Sequence, residues 1–470
     1  MKLTRPFLAL TTALLAPVAL AALAPAARAQ TLADALAQAY SNNPTLLAAR
    51  ANLRAVDENV PQALAGWRPT VSISSSAGVL EGTTRSRPRG APGATYADSD
   101  RETYSNSVTI TQPVFRGGRT VAGVRRAENQ VLAQRARLLA TEQQVMGETV
   151  TAYVAVIRDQ ELLRLNINNE QVLTEQLRAT NERFRVGEIT RTDVAQAESR
   201  LAGARSNRAQ SEGQLQISRA TFQRLVGAPP MRLVAPQPLR PPLSSAQEAA
   251  QLAALNNPNV VAALFDAAGA RDNINLQLAA LLPTVNVSAQ AFRNDGAALA
   301  DTRQSGSQLT ASLTVPIYQG GAEHAAVRQA RQTAQQARQL VDDQRRTVAQ
   351  TATQAWEQLQ SSKAQVDSVR AQIRAAEIAL DGVQREAIVG SRTTLDVLNA
   401  EQELLNARTS LVQALSTVVS QSYSLAATIG RLTAADLGLA VDAYDIRAYY
   451  NEVRNRWVGL GDYSGVAERR

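Results

Sequence analysis

The stretch PTVSISSSAGVL, residues 69–80, alternates apolar and polar side chains along its length. Val71, Ile73, Ala77 and Val79 share one face, and the polar Thr70, Ser72, Ser74 and Ser76 lie on the opposite face. An alternation with period two predicts a β-strand that has one apolar and one polar face. A tilted strand of about ten residues is long enough to cross a bilayer. The stretch therefore predicts a membrane-spanning strand.

Three further stretches alternate in the same way. They are TYSNSVTITQPVF (103–115), PTVNVSAQAF (283–292) and SQLTASLTVPIY (307–318). We place the four strands at 69–80, 103–115, 283–293 and 307–318. The polar segments 81–100 and 294–306 lie between the strands of each pair, and we predict them as loops. Long polar loops are usual on the outer side of outer-membrane barrels.

The chain contains an internal duplication. WRPTVSIS (67–74) resembles LLPTVNVS (281–288), QPVFRGG (112–118) resembles VPIYQGG (315–321), and FRVGEITRTDV (184–194) resembles AIVGSRTTLDV (387–397). Because these pairs occur in the same order, the chain is predicted to hold two copies of one unit. We place the repeats at 30–227 and 245–430. A proline-rich linker, 228–244, joins them, and a C-terminal tail, 431–470, follows.

Long proline-free segments follow each pair of strands and are rich in Ala, Gln, Arg, Glu and Leu, which favour helices. We predict long helices at 119–184, 192–226, 322–386 and 394–429. Shorter helical segments, 31–66 and 245–281, come before the strands. The longest helices would reach roughly 100 Å, which is too long for one globular core. The fold class is therefore α+β, with strands for a membrane and helices that extend beyond it.

The N-terminus has the features of a signal peptide, residues 1–29. A basic start precedes an Ala-Leu-rich core, and Ala27-Arg28-Ala29 is a small-x-small cleavage site. A membrane anchor is the alternative, but two prolines and the cleavage site favour a signal peptide. The chain has no cysteine, which excludes disulfides, thiolate metal sites and a lipoprotein anchor. No later segment is apolar enough for a spanning helix, so entry into a membrane would require the strands.

The net charge of +8 is mild for 470 residues, and aromatic residues make up only 4%. Because nucleic-acid binding needs a clustered basic face with stacking aromatics, we predict no nucleic-acid partner. Four strands cannot close a barrel, and lipid does not tolerate open sheet edges. Two copies would supply eight strands and three copies twelve. An eight-stranded barrel is filled by side chains, so an open duct favours three or more copies.

The order and duplication of these motifs resemble the TolC family of outer-membrane efflux and type I secretion ducts. The resemblance implies a homotrimer whose twelve-stranded barrel lies in Gram-negative outer-membrane lipid and continues as a long helical α-barrel across the periplasm. It implies a periplasmic adaptor (membrane fusion) protein and an inner-membrane ABC or RND transporter as partners. It also implies export of drugs, other small molecules or secreted proteins, with no cofactor.

The duplicated turns have a simple structural explanation. Gly187 and Gly390 can close the preceding helices in a left-handed conformation. Threonines can cap the helices that follow, either Thr190 or Thr192 in the first turn and either Thr393 or Thr394 in the second. Asp193 and Asp396 place negative charge near the positive helix ends.

The resemblance adds functional roles to these turns. It implies that they are the periplasmic tips of the duct, which dock against the adaptor; the implied docking residues are Val186, Gly187, Val194, Val389, Gly390 and Val397. Asp396 and Asn399 would line the gate where the duct narrows. Arg392 would tie the second turn to Thr192 and Asp193 of the first, so that Arg392 and Asp193 latch the closed state.

Two other classes of protein remain as alternatives at this point. A soluble periplasmic coiled-coil scaffold or adaptor would share the helices but would not need four amphipathic strands. An enzyme is not supported, because no paired catalytic residues emerge and His324, the only histidine, follows a Gly-Gly pair at a helix start. The chain has no phosphate-binding loop, so energy for transport would come from a partner pump.

Overall fold

The computed structural model describes residues 29–463 and 465, apart from residues 91, 241 and 298–300. The signal-peptide prediction thus falls almost wholly outside the described residues. The elements in chain order are α1 (Leu32–Asn42), α2 (Pro44–Asp57), α3 (Asn59–Leu64), β1 (Thr70–Ser86), β2 (Thr95–Arg116), α4 (Arg119–Arg185), α5 (Arg191–Val226), α6 (Ala246–Asn256), α7 (Pro258–Leu278), β3 (Thr284–Asp295), β4 (Arg303–Thr314), α8 (Ala322–Ile388), α9 (Thr394–Thr428) and α10 (Ala448–Val453). Short 3-10 turns, Ala65–Trp67 and Ala279–Leu281, connect helices to strands.

The four strands form one antiparallel sheet in the order β1-β2-β3-β4. Strands β1 and β4 are its edges, and within the described chain each pairs on one side only. The side chains of both edge strands are exposed throughout. The α+β class and the two-repeat plan with a four-stranded sheet are therefore confirmed, and one chain leaves two sheet edges open.

The first hairpin is longer than the predicted strands 69–80 and 103–115, and most of the predicted loop 81–100 is β-structure. Strand β1 continues to Ser86, which pairs with Thr95. Polar side chains stabilise the extension across the strands, since the Thr83 hydroxyl donates to Asp98 Oδ1 at 2.7 Å. Residues 95–103 of β2 have no partner in β3, so the hairpin projects roughly 30 Å beyond the second one.

Prolines have different effects in β2 and β4. Strand β2 continues past Pro113 through an irregularity between Pro113 and Phe115. Strand β4 ends at Thr314, four residues before the predicted end of strand 307–318. Pro316 follows within two residues and has no N–H for a sheet hydrogen bond, which explains the early end.

Helices α4 and α8 each have 67 residues and extend roughly 100 Å. Their buried positions hold mostly small or branched side chains, such as Ala133, Val150, Val348 and Ala352. One buried cluster joins α1, α2, α4, α5 and part of α9, and a second joins α6, α7, α8 and α9. Among the described residues, no helix combines the length and the apolar character needed to span a membrane.

The duplicated Asn-Asn-Pro segments form equivalent hydrogen bonds in both repeats. Asn43 caps α2 by accepting from Thr45 N, and its amide donates to Leu225 O at the end of α5, at 3.0 Å. Asn257 caps α7 in the same way and donates to Thr428 O at the end of α9, at 2.9 Å. One asparagine therefore fixes both a helix start and the end of a distant helix.

Candidate functional site: the two helical tips

The first tip, residues 183–193, connects α4 to α5. Gly187 has φ +80°, its N–H donates to Phe184 O at 2.9 Å, and Glu188 N–H donates to Arg183 O at 3.0 Å. This pair of hydrogen bonds is the Schellman motif, which satisfies carbonyls left free at a helix C-terminus. The glycine ends α4 as the sequence predicted.

The second tip, residues 386–396, connects α8 to α9 with the same geometry. Gly390 has φ +79°, its N–H donates to Ala387 O at 3.2 Å, and Ser391 N–H donates to Glu386 O at 3.0 Å. A Cβ at either tip glycine would meet nothing within 4 Å. Glycine is therefore required by the left-handed backbone and not by crowding.

Capping boxes begin the helices that follow both tips. The Thr190 hydroxyl and N–H both donate to Asp193 Oδ2. In the second tip the Thr393 hydroxyl donates to Asp396 Oδ2 at 2.8 Å, and the Thr393 N–H donates to it at 3.0 Å. Thr190 and Thr393 are thus the caps, whereas the alternatives Thr192 and Thr394 fall inside the first helical turn. Hydrogen bonds from these threonines hold the pKa of both carboxyls below its usual value, so both are ionised at neutral pH.

Each tip has one ion pair, but the acidic and basic residues exchange places between the two tips. In the first, Arg183 on the last turn of α4 binds Glu188 in the loop, at 2.8 Å. In the second, Glu386 occupies the position equivalent to Arg183 and binds Arg392, also at 2.8 Å. These pairs hold the pKa of Glu188 below and that of Arg392 above its usual value.

The predicted latch between Arg392 and Asp193 is not formed in this chain. Arg392 Nε is bound to Glu386 within its own tip, and the Asp193 carboxylate accepts from Thr190. Thr192 is exposed and forms no bond to Arg392. A carboxylate at a helix C-terminus is unfavourable beside the helix dipole, and a nearby arginine relieves this.

A different pair links the two halves near the tips. Arg200 of α5 donates from Nη2 to Asn399 Oδ1 of α9, at 2.9 Å. Beside it, Leu398 of α9 is buried in one cluster with Leu173, Leu201 and Ala204 of α4 and α5. Arg200 was not among the predicted site residues, since no repeat position pairs it with Asn399.

The predicted docking residues differ in how far their side chains are exposed to solvent. The Val186 and Val389 side chains are 78% exposed at the ends of the tips, next to the equally exposed Ile388. Val397 is only 7% exposed, and Val194 is half-buried. Val397 therefore packs within the protein and offers no free side chain to a partner. The available tip surface consists of the apolar ends together with the two glycines.

Comparison with known proteins identifies relatives along most of the chain. The family model described as outer membrane efflux protein matches residues 35–228 and 249–431, one segment in each repeat. The outer membrane efflux protein BepC of Brucella suis is 37% identical over 439 residues, which cover 93% of both chains. The outer membrane protein TolC of Escherichia coli is 23% identical over 87% of this chain and 84% of its own.

Further relatives and solved structures agree with this fold. The alkaline protease secretion protein AprF of Pseudomonas aeruginosa is 25% identical over 73% of each chain. The CmeC outer membrane channel of Campylobacter jejuni superimposes with a TM-score of 0.76 at 15% identity, covering 90% of this chain and 89% of its own. The outer membrane protein VceC of Vibrio cholerae superimposes with a TM-score of 0.71 at 21% identity, covering 85% and 96%.

Proposed function

The chain belongs to the outer membrane efflux protein family, and on that premise we propose that three copies form one continuous exit duct. The protein is an outer-membrane channel of a Gram-negative efflux or type I secretion system, rather than a soluble scaffold, and its family is one of transport proteins. The observation that carries the trimer proposal is the sheet with two open edges. Pairing β1 of one copy with β4 of the next would remove both edges.

Three copies suit this geometry better than two. Three sheets supply twelve strands, whereas eight strands would enclose an interior filled by side chains. At the tip end each copy supplies α4, α5, α8 and α9, so the trimer would continue into the periplasm as a barrel of twelve helices. The polar faces of the strands and long helices suit a wet interior.

The absence of cysteine makes the trimer directly testable. Ile73→Cys on β1 would be combined in turn with a cysteine at each position of β4 from Arg303 to Thr314. Oxidation should give covalent trimers at one position of β4, or at two positions that are two residues apart, because neighbouring strands pair in one register and adjacent side chains point to opposite faces. Each single-cysteine chain is the control. Covalent species that stop at dimers, or no cross-link at any position, would contradict the trimer.

Partners are proposed at the tips. Val186, Ile388 and Val389 expose apolar side chains at the end farthest from the sheet, where a periplasmic adaptor would dock with the tip glycines. An inner-membrane transporter of the ABC or RND type would supply the energy. Support comes from the relatives' names, since AprF is named for protease secretion and BepC for efflux.

We place the gate at the second tip. Asp396 is ionised, so three copies around the axis would form a ring of negative charge where the duct narrows. Opening would move α8 and α9 away from α4 and α5, and the Arg200–Asn399 bond would resist that movement. In this proposal Arg200, and not Arg392, holds the closed state. Asn399 contributes by accepting its hydrogen bond rather than by lining the pore.

The two capping boxes provide a matched test of the gate. Asp396→Asn and Asp193→Asn remove the same type of carboxylate from the same position of a capping box, so their local folding costs should be similar. In planar bilayers, hexamminecobalt(III) added on the tip side should block the wild-type channel. Asp396→Asn should weaken the block at least about tenfold, because the charge ring is lost, and Asp193→Asn should not. Equal effects of the two changes would place the gate elsewhere.

A further inference from the structure

The C-terminal tail runs along α4 toward the sheet. Ala434 N–H donates to Glu142 at 2.8 Å, the Tyr450 ring lies 5.1 Å from the Arg135 guanidinium, and Arg454 binds Glu128 at 2.9 Å. These partners step from 142 to 128 along α4, which is roughly 20 Å toward its N-terminus. Because α4 follows β2 directly, the tail approaches the end of the sheet that faces the helices.

The tail reaches the sheet at Trp457. Arg68, two residues before β1, donates from Nη1 to Arg456 O at 2.6 Å, and its guanidinium lies 5.1 Å from the Trp457 ring. Gln112 of β2 donates to Trp67 O at 3.0 Å, which ties this turn to the neighbouring strand. Trp457 therefore lies level with the starting end of β1.

An apolar group at this level is exposed. Trp457 is 66% exposed, Val458 is 87% exposed and Leu460 is fully exposed; we call these three side chains the tail apex. Just before it, Val453 is almost completely buried, so the tail is docked up to the apex. Neighbouring exposed apolar side chains of this size usually mark a contact with another molecule or with lipid.

We propose that the tail apex inserts into the periplasmic leaflet of the outer membrane, at the phospholipid headgroups. The apex is level with exposed apolar side chains of the strands, such as Val71 of β1 and Leu313 of β4. Tryptophan is enriched at this depth because its ring is apolar and its N–H is polar. The inference rests on the outer-membrane location of the family and not on the gate.

Charge favours lipid as the occupant of this surface. Arg68 forms no ion pair among the described residues; its guanidinium donates to the Arg456 carbonyl and lies over the Trp457 ring. Within the part of the chain that the structure describes, it therefore presents a positive charge without a paired carboxylate beside an apolar group. This combination suits a headgroup phosphate above acyl chains. A neighbouring copy of the chain is the competing occupant.

The three native tryptophans allow a direct test. Full-length variants that keep only Trp457 or only Trp356, with phenylalanine at the other two positions, are placed in phosphatidylcholine–phosphatidylglycerol vesicles. Acyl chains that carry bromine quench tryptophans in contact with them. We expect Trp457 emission to fall about twofold, as expected for an interfacial ring. Trp356 lies 34 residues into α8, roughly 50 Å from the sheet, and should be unaffected.

Controls separate the possible occupants. Ile73→Trp in the chain without native tryptophans reports on a lipid-facing strand position and should be quenched by bromine. If aqueous iodide, but not brominated lipid, quenches Trp457, the apex lies in water and the proposal is wrong. If neither quencher reaches Trp457, a neighbouring copy covers the apex and the proposal is wrong as well. Cross-linking of the strand edges would still report on the trimer, so the two failures are distinguishable.

Discussion

Replacing Arg200 by alanine should make the channel open more often. Its Nη2 binds Asn399 Oδ1 across the two helical hairpins, at 2.9 Å. A hydrogen bond of this kind contributes about 1 kcal/mol net, because water replaces part of it when it breaks. If the three copies open together, the trimer loses about 3 kcal/mol of closed-state stability. Since 1.4 kcal/mol is a factor of ten, the open-to-closed ratio should rise about 100-fold.

Single-channel recording in planar bilayers measures that ratio directly. Asn399→Ala should have the same effect, and Arg200→Ala with Asn399→Ala should add little to either, because both remove one bond. Arg408→Ala is the matched control. Arg408 binds Glu377 at 3.0 Å with similar exposure, but both residues belong to the α8–α9 hairpin and move together. An increase of the same size in Arg408→Ala, or no change in Arg200→Ala, would refute the tether.

Three further changes test other parts of the molecule. Gly390→Ala should destabilise the second tip by about 1–2 kcal/mol, because an alanine is strained in the left-handed backbone. Amide hydrogen exchange at the tip should then become faster. Gly382→Ala, which has equally open space in α8, should not change this exchange. Burial raises the pKa of Asp57 to about 7, so its stabilising contribution is complete below about pH 4 and is lost as the pH rises toward 7. The thermal midpoint in detergent should fall from pH 5 to pH 8, by an equivalent of at most about 3 kcal/mol. Asp57→Asn should remove this fall, and a fall that persists in Asp57→Asn would assign it to another group. Val389→Glu should reduce export in a complemented deletion strain at least about tenfold by placing a charge in an apolar contact, whereas Ile378→Glu, equally exposed but further up α8, should leave export unchanged.

The fold could be predicted where one physical pattern dominated. The period-two alternation of apolar and polar side chains predicted all four strands, and the internal duplication of the sequence predicted both tips. The limits of the first hairpin were missed because residues 81–86 and 95–100 are polar on both faces. Their strand pairing depends on cross-strand hydrogen bonds such as Thr83 to Asp98, which alternation of hydrophobicity does not register.

The tips show why the remaining site residues could not be assigned from sequence. The carboxylate that Arg392 binds is Glu386, six residues before it, and not the distant Asp193 of the first tip. The local partner costs little chain entropy to reach, and Glu386 sits beside the negative end of the α8 dipole, where it needs a cation. The local pair therefore forms. The bond that does join the two hairpins, from Arg200 to Asn399, connects helices that Leu398 already holds together in its cluster with Leu173 and Leu201.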